Sequence, residues 1–218
     1  MDHLEDCSIE NVLDISNSIQ QNDHNHILLY TFRSKNEGGE KAITVEDYLT
    51  LNKTLIENNC CDIVDVEIFM DDSITKSLCE VAHKKGIYVI GSYHDFHKTP
   101  SYDEILKRFL YMQECDVDLC KIALMPKEKE DVNTLMKATK EMYDTYANRP
   151  LVSISMSDLG KVSRIAGELF GSSMTFACVG KVSAPGQIEV EELNKQQEEE
   201  NNNENENTQP APEENTQG

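Results

Sequence analysis

Six short apolar runs recur along the chain, at 26–32, 62–69, 87–92, 119–124, 151–155 and 174–178, and each predicts a strand. Between them the apolar positions fall three and four apart. The stretch 45–58 sets Tyr48, Leu49, Leu51, Leu55 and Ile56 at helical spacing, and 73–85 does the same with Ile74, Leu78, Val81 and Ala82. Helices are also predicted over 8–20, 102–114, 131–146 and 162–170. The 102–114 helix follows Thr99-Pro100-Ser101, where Ser101 can cap and Glu104 can complete a capping box. Strands alternating with helices imply right-handed βαβ units and a parallel sheet.

Such units build either an open doubly wound sheet or a (β/α)8 barrel. No GxGxxG follows the first strand, as a dinucleotide-binding sheet would require. Polar residues recur at the carboxyl ends of the strands, where barrels assemble their sites, and this favours the α/β TIM-barrel type with about six β/α units present. The barrel part is expected over 1–193. From 194 to 218 the chain is rich in Glu, Asn and Gln without apolar periodicity, and a disordered tail is expected there.

Charge narrows the class of partner. The 218 residues hold 20 basic against 40 acidic side chains, a net charge of −20. That balance argues against a nucleic-acid partner, whose phosphates need clustered Lys and Arg, and against anionic membrane surfaces. The acidic amino terminus lacks the apolar core of a signal peptide, and no apolar run approaches the ~20 residues needed to span a bilayer. Seven cysteines form no CxxC pair and no metal-type spacing with His, and Cys60-Cys61 are adjacent. Free thiols in a reducing, cytoplasmic setting are expected.

Three strand ends carry chemistry. Lys121 lies inside the apolar run Leu119–Leu124, where burial lowers an amine's pKa and frees a nucleophile near neutral pH. His94 ends Ser92-Tyr93-His94-Asp95, and Thr31-Phe32-Arg33 leads into Glu37-Gly38-Gly39. An amine, an imidazole and a carboxylate at one end of one sheet are the parts of a carbonyl-chemistry enzyme. Each has a plainer reading: Lys121 as a lysine snorkelling from a strand end, His94 as hydrogen-bonded structure, Glu37 as a solvated loop acid.

Thr31-Phe32-Arg33-Ser34-Lys35-Asn36-Glu37-Gly38-Gly39, Ser92-Tyr93-His94-Asp95-Phe96-His97-Lys98-Thr99-Pro100 and Lys121-Ile122-Ala123-Leu124-Met125-Pro126 together resemble the type I 3-dehydroquinate dehydratases. So do Ser163-Arg164-Ile165-Ala166-Gly167-Glu168-Leu169-Phe170-Gly171 and Ser183-Ala184-Pro185-Gly186-Gln187, and the match runs from about Asp2 to Ile188 in order and spacing. The resemblance implies a lyase that dehydrates 3-dehydroquinate to 3-dehydroshikimate, a step of aromatic biosynthesis, without metal or organic cofactor. It implies Lys121 as the Schiff-base lysine, His94 as the general acid/base and Glu37 as the carboxylate orienting it. Arg33, Arg164, Ser183 and Gln187 resemble substrate-binding positions, with Arg164 the choice for the substrate carboxylate and the Ser183–Gln187 loop a lid. For Arg33, an ion pair with a nearby acid is the other reading. Met156 and Phe176 suit an apolar pocket wall or ordinary core, and His97 reads as structural. Family members are often homodimers, which is resemblance only.

The family's domain begins with two further β/α units, the second bringing an acid and an arginine to the site; Met1 falls just after that strand. The family's last helix is expected to be reduced to 188–193. A second reading is therefore a truncated, catalytically impaired barrel that serves as a binding or assembly partner. A third is another lysine-imine enzyme of aldolase type, against which the Glu37/His94 pair and the Ser183–Gln187 loop speak.

Overall fold

Period-two strands followed by amphipathic helices leave each strand little choice but to lie beside the one before it. The computed structural model, which describes residues 1–22 and 25–207, follows this plan. In chain order the elements are α1 (Ile9–Asn22), β1 (Leu29–Thr31), α2 (Val45–Glu57), β2 (Ile63–Glu67), α3 (Asp72–Lys84), β3 (Tyr88–Asp95) and α4 (Tyr102–Glu114). Then come β4 (Leu119–Leu124), α5 (Lys129–Glu141), β5 (Leu151–Ser155), the single turn α6 (Val162–Ile165) and α7 (Val190–Asn207). The five strands are parallel in the order β1-β2-β3-β4-β5. A strand order that never reverses, with right-handed crossovers, places the crossover helices on one face, as in a barrel and unlike a doubly wound sheet.

The two faces bury different things. Val64, Val66, Val89, Cys120, Ile122, Leu124 and Leu151 point to the helices and join the main core with Tyr48, Leu55, Leu78, Phe109, Met112 and Leu135. Burying each such aliphatic side chain contributes about 1.5–3 kcal/mol, so this layer holds the sheet together. The opposite face has a smaller cluster of Ala123, Val152, Ile154 and Met156, with Phe96, Met125 and Phe176 against it. Alternate residues on that face are polar: Asp65 and Glu67 on β2, Ser92 and His94 on β3, Lys121 on β4. The register sets Glu67 beside Ser92, and Ser92 beside Lys121.

Local sequence fixes where the helices begin. Thr44 accepts from the Asp47 amide, Asp71 from the Ser73 amide and Ser101 from the Glu104 amide, each satisfying an orphan donor of the first turn. Glu104 pairs with Arg108 at 2.9 Å. All seven cysteines are free, and all but Cys7 are buried. Among the described residues no helix is long and apolar enough to cross a membrane.

Two expectations need correction. The run at 174–178 is not a strand: the segment touches the sheet through an isolated bridge between Leu151 and Ser172, and Cys178 bridges Glu189 instead. Its carbonyls are met by side chains rather than by a neighbouring strand, Phe176 O by Arg164 Nη1 at 3.1 Å and Ala177 O by Gln187 Nε2 at 3.1 Å. The final helix is not confined to 188–193, because α7 runs on to Asn207 through the stretch expected to be disordered. Leu193 is buried at its start, and the Glu, Gln and Lys that follow are good helix formers. The rest of the expected tail, 208–218, lies outside the described residues.

Candidate active site

At the carboxyl ends of the strands lies a cavity of about 270 Å³, and all seven site residues named from the sequence line it. Arg33, Glu37, His94 and Lys121 come from the β1 to β4 ends, Arg164 from α6, and Ser183 and Gln187 from the loop before α7. Met156 and Phe176 supply apolar wall. His97 is exposed and outside the lining; its backbone N–H donates to Asp95 Oδ1 at 2.9 Å, a turn contact.

Glu37 ends a single 3-10 turn (Lys35–Glu37), after which Gly38 adopts φ +90°. Any Cβ there would overlap the Phe96 ring, so this turn needs glycine. The turn is pinned by the Ser34 amide donating to Glu67 Oε1 at 2.7 Å, and by Asp2 accepting from the amides of Arg33 and Glu40. Thus held, Glu37 Oε2 accepts from the His94 backbone N–H at 3.0 Å and lies 2.9 Å from His94 Nδ1. Three donors converge on that oxygen, the third being Arg33 Nη1 at 3.4 Å, which suits a carboxylate and puts the imidazole proton on Nδ1. The Nε2 lone pair is then free. Burial, with the Arg33 and Lys121 charges, holds the His94 pKa well below that of an ordinary imidazole. Burial and the Glu67 carboxylate push Glu37 well up, against the pull of Arg33.

Lys121 is 7% exposed, with its Nζ 3.1 Å from Asp65 Oδ2 and 4.5 Å from the centre of the Phe176 ring. Burial is the largest influence on its pKa and lowers it, with Arg33 acting the same way and Asp65 opposing. The site thus holds an amine poised to lose its proton, beside a neutral imidazole, in a pocket walled by apolar side chains.

Arg33 lines the cavity, yet its guanidinium is committed inward. Nη2 reaches both Asp65 oxygens at 2.8 Å, and Nη1 reaches Glu67 at 3.0 Å and Ser92 Oγ at 3.0 Å. Arg164 differs: Nη1 donates to Phe176 O and Nη2 to Pro185 O at 3.4 Å, while its buried Nε has no partner among the described residues. Gln187 Oε1 accepts from the Ser183 amide at 2.9 Å and from its hydroxyl at 3.0 Å, closing the loop on itself.

Sequence reasoning misses Asp65, Glu67 and Ser92. The signal was there: two acids at period two in the otherwise apolar Ile63-Val64-Asp65-Val66-Glu67 carry the same burial cost that singles out Lys121.

Comparison with known proteins places the chain in a family. The family model of type I 3-dehydroquinase matches residues 1–203. The chain is 46% identical over 194 residues to the 3-dehydroquinate dehydratase of Salmonella agona, covering 88% of this chain and 77% of the relative. It is 46% identical over 187 residues to that of Clostridioides difficile, covering 86% and 73%. The crystal structure of the type I 3-dehydroquinate dehydratase from Clostridium difficile with covalently modified comenic acid superposes with a TM-score of 0.84 at 44% identity, covering 89% of this chain and 76% of that one. The enzyme from Geobacillus kaustophilus gives 0.85 at 28% identity, covering 89% and 76%. The chain belongs to the type I 3-dehydroquinase family.

Proposed function

We propose that this chain dehydrates 3-dehydroquinate to 3-dehydroshikimate through an imine on Lys121, with His94 as acid and base and Glu37 as its orienter. The observation that carries this is the buried Lys121 amine, sharing one cavity with an imidazole whose Nδ1 is held at 2.9 Å by Glu37. The relative from Clostridium difficile, crystallised with covalently modified comenic acid, supports covalent chemistry in this cavity.

The free amine attacks the ketone carbon, and loss of water leaves a protonated imine. Its positive nitrogen withdraws electrons, so the C–H next to it becomes acidic and His94 Nε2 takes that proton. The resulting enamine expels the β-hydroxyl, which leaves as water with the proton His94 returns. Hydrolysis of the imine then releases the enone and restores the amine. Arg164, whose Nε has no partner among the described residues, suits the substrate carboxylate, and the Ser183–Gln187 loop suits a cover that keeps water out.

Borohydride reduction in the presence of 3-dehydroquinate, followed by mass spectrometry, tests the scheme. A ligand-sized adduct on Lys121 is expected, absent in Lys121→Ala. His94→Ala is expected to form the adduct while turnover falls about 10²–10⁴-fold. Soluble, folded protein that forms no adduct would favour the non-catalytic binding role.

A further inference from the structure

We propose that Asp65 is the counter-ion of the Lys121 nitrogen whenever that nitrogen is charged in turnover, as the ammonium and as the protonated imine, a role that rests on the imine chemistry above. Asp65 is wholly buried, and among the described residues its carboxylate accepts from Arg33 at 2.8 Å on both oxygens, from Ser92 Oγ at 2.6 Å on Oδ1 and from Lys121 Nζ at 3.1 Å on Oδ2. A carboxylate this deep holds its charge only against cations. Arg33 and Lys121 together outweigh the burial that would protonate it and keep it below the usual carboxylate range.

Imine formation does not remove the positive charge from Nζ. It replaces an ammonium with three N–H bonds by an iminium with one. With Asp65 Oδ2 3.1 Å from Nζ, that single N–H is held toward the carboxylate, while the substrate carbon takes up the cavity that Lys121 and His94 both line. The charge pair survives the covalent step, so the electron sink stays protonated when the neighbouring C–H is broken. The other groups around Nζ cannot do this. Glu37 is engaged with His94 and Arg33, Glu67 with Arg33 and the Ser34 amide, and Asp2 with the Arg33 and Glu40 amides, while Arg33 and Arg164 repel a positive nitrogen.

The test is the pH profile of kcat for Asp65→Asn, a nearly isosteric change, beside that of the unaltered chain with 3-dehydroquinate. Removing the carboxylate makes both the ammonium and the iminium lose protons more easily. Both limbs of the profile are therefore expected to move to lower pH by about a unit, a tenfold change in each proton equilibrium. A residue that only supports the fold would lower the amplitude and leave the limbs in place, and that result overturns the proposal. A second readout avoids the variant's stability: in His94→Ala carrying ¹⁵N-lysine, the Lys121 imine formed with 3-dehydroquinate is expected to keep the shift of a protonated nitrogen at pH 8. A neutral imine there overturns the counter-ion role. If the unaltered chain yields no adduct at all, the function proposed above fails, and the counter-ion role with it; an adduct with unmoved limbs removes the counter-ion alone.

Discussion

Glu37 Oε2 lies 2.9 Å from His94 Nδ1 and also accepts from the His94 backbone N–H at 3.0 Å, although the two residues are 57 apart in sequence. One oxygen therefore fixes both the ring and the main chain that carries it. Rotation of the imidazole would break the Nδ1 contact, so the carboxylate holds the ring in one orientation at the cavity wall.

Replacing Glu37 by Gln separates its two effects. The loss of a charge-assisted hydrogen bond of about 1.5–3 kcal/mol predicts a drop in activity of about tenfold to a hundredfold. Stability should move the other way. The folded-state pKa of Glu37 is raised above its ordinary value, so its contribution is fully present below about pH 4.3 and is lost as pH rises through the folded pKa. Glu37→Gln removes that loss, and thermal melts should show the variant gaining on the unaltered chain between about pH 4.5 and pH 8. A difference in Tm that does not change with pH would contradict the burial cost assigned to Glu37.

Arg33 binds Asp65 through both oxygens and Glu67 at 3.0 Å, within the buried face of the sheet. Arg33→Met leaves two carboxylates without their partner, and breaking such a pair destabilises by about 3–5 kcal/mol. Urea denaturation should show an unfolding free energy lower by that amount, with the midpoint moving down accordingly. If stability is unchanged and only KM rises, the guanidinium serves substrate rather than the network.

Arg164 spans the Phe176 and Pro185 carbonyls, and its buried Nε has no partner among the described residues. Arg164→Met should raise KM about tenfold to a hundredfold, the worth of about 1.5–3 kcal/mol in a hydrogen bond to a charged group. Arg164→Lys should rescue little, since an ammonium cannot present the same fork. Steady-state kinetics in which kcat falls and KM holds would place Arg164 away from the substrate carboxylate.

Gly186 has φ +71°, and a Cβ there would overlap the backbone carbonyl of Ser157 at the end of β5. Strain of this kind costs about 1–3 kcal/mol, so Gly186→Ala should loosen the Ser183–Gln187 loop rather than unfold the sheet. Faster proteolysis in the loop and a KM raised by about tenfold or more are expected, with Lys121 still trapped by borohydride at high substrate. An unchanged cleavage rate would mean that the loop tolerates the new methyl group.

What the sequence determined by itself is periodic or local. Short apolar runs set three of the strands to within a few residues and β4 and β5 to the residue, and helical spacing set the helices apart from 162–170, where α6 is only Val162–Ile165, because burial of one face is a property of neighbours a fixed distance apart. Lys121 and His94 stood out because a polar group in or at the end of an apolar run is costly wherever it occurs, whereas Glu37 was singled out only by the family resemblance. The tertiary structure decided the rest. Whether 174–178 would pair as a strand or have its carbonyls met by Arg164 and Gln187 was decided there, and neither residue is near it in the pattern. Whether Arg33 would face substrate or acids depended on Asp65 and Glu67 arriving from the next strand. Such outcomes are set by which long-range partners reach a buried polar group, and no periodicity along the chain encodes that choice.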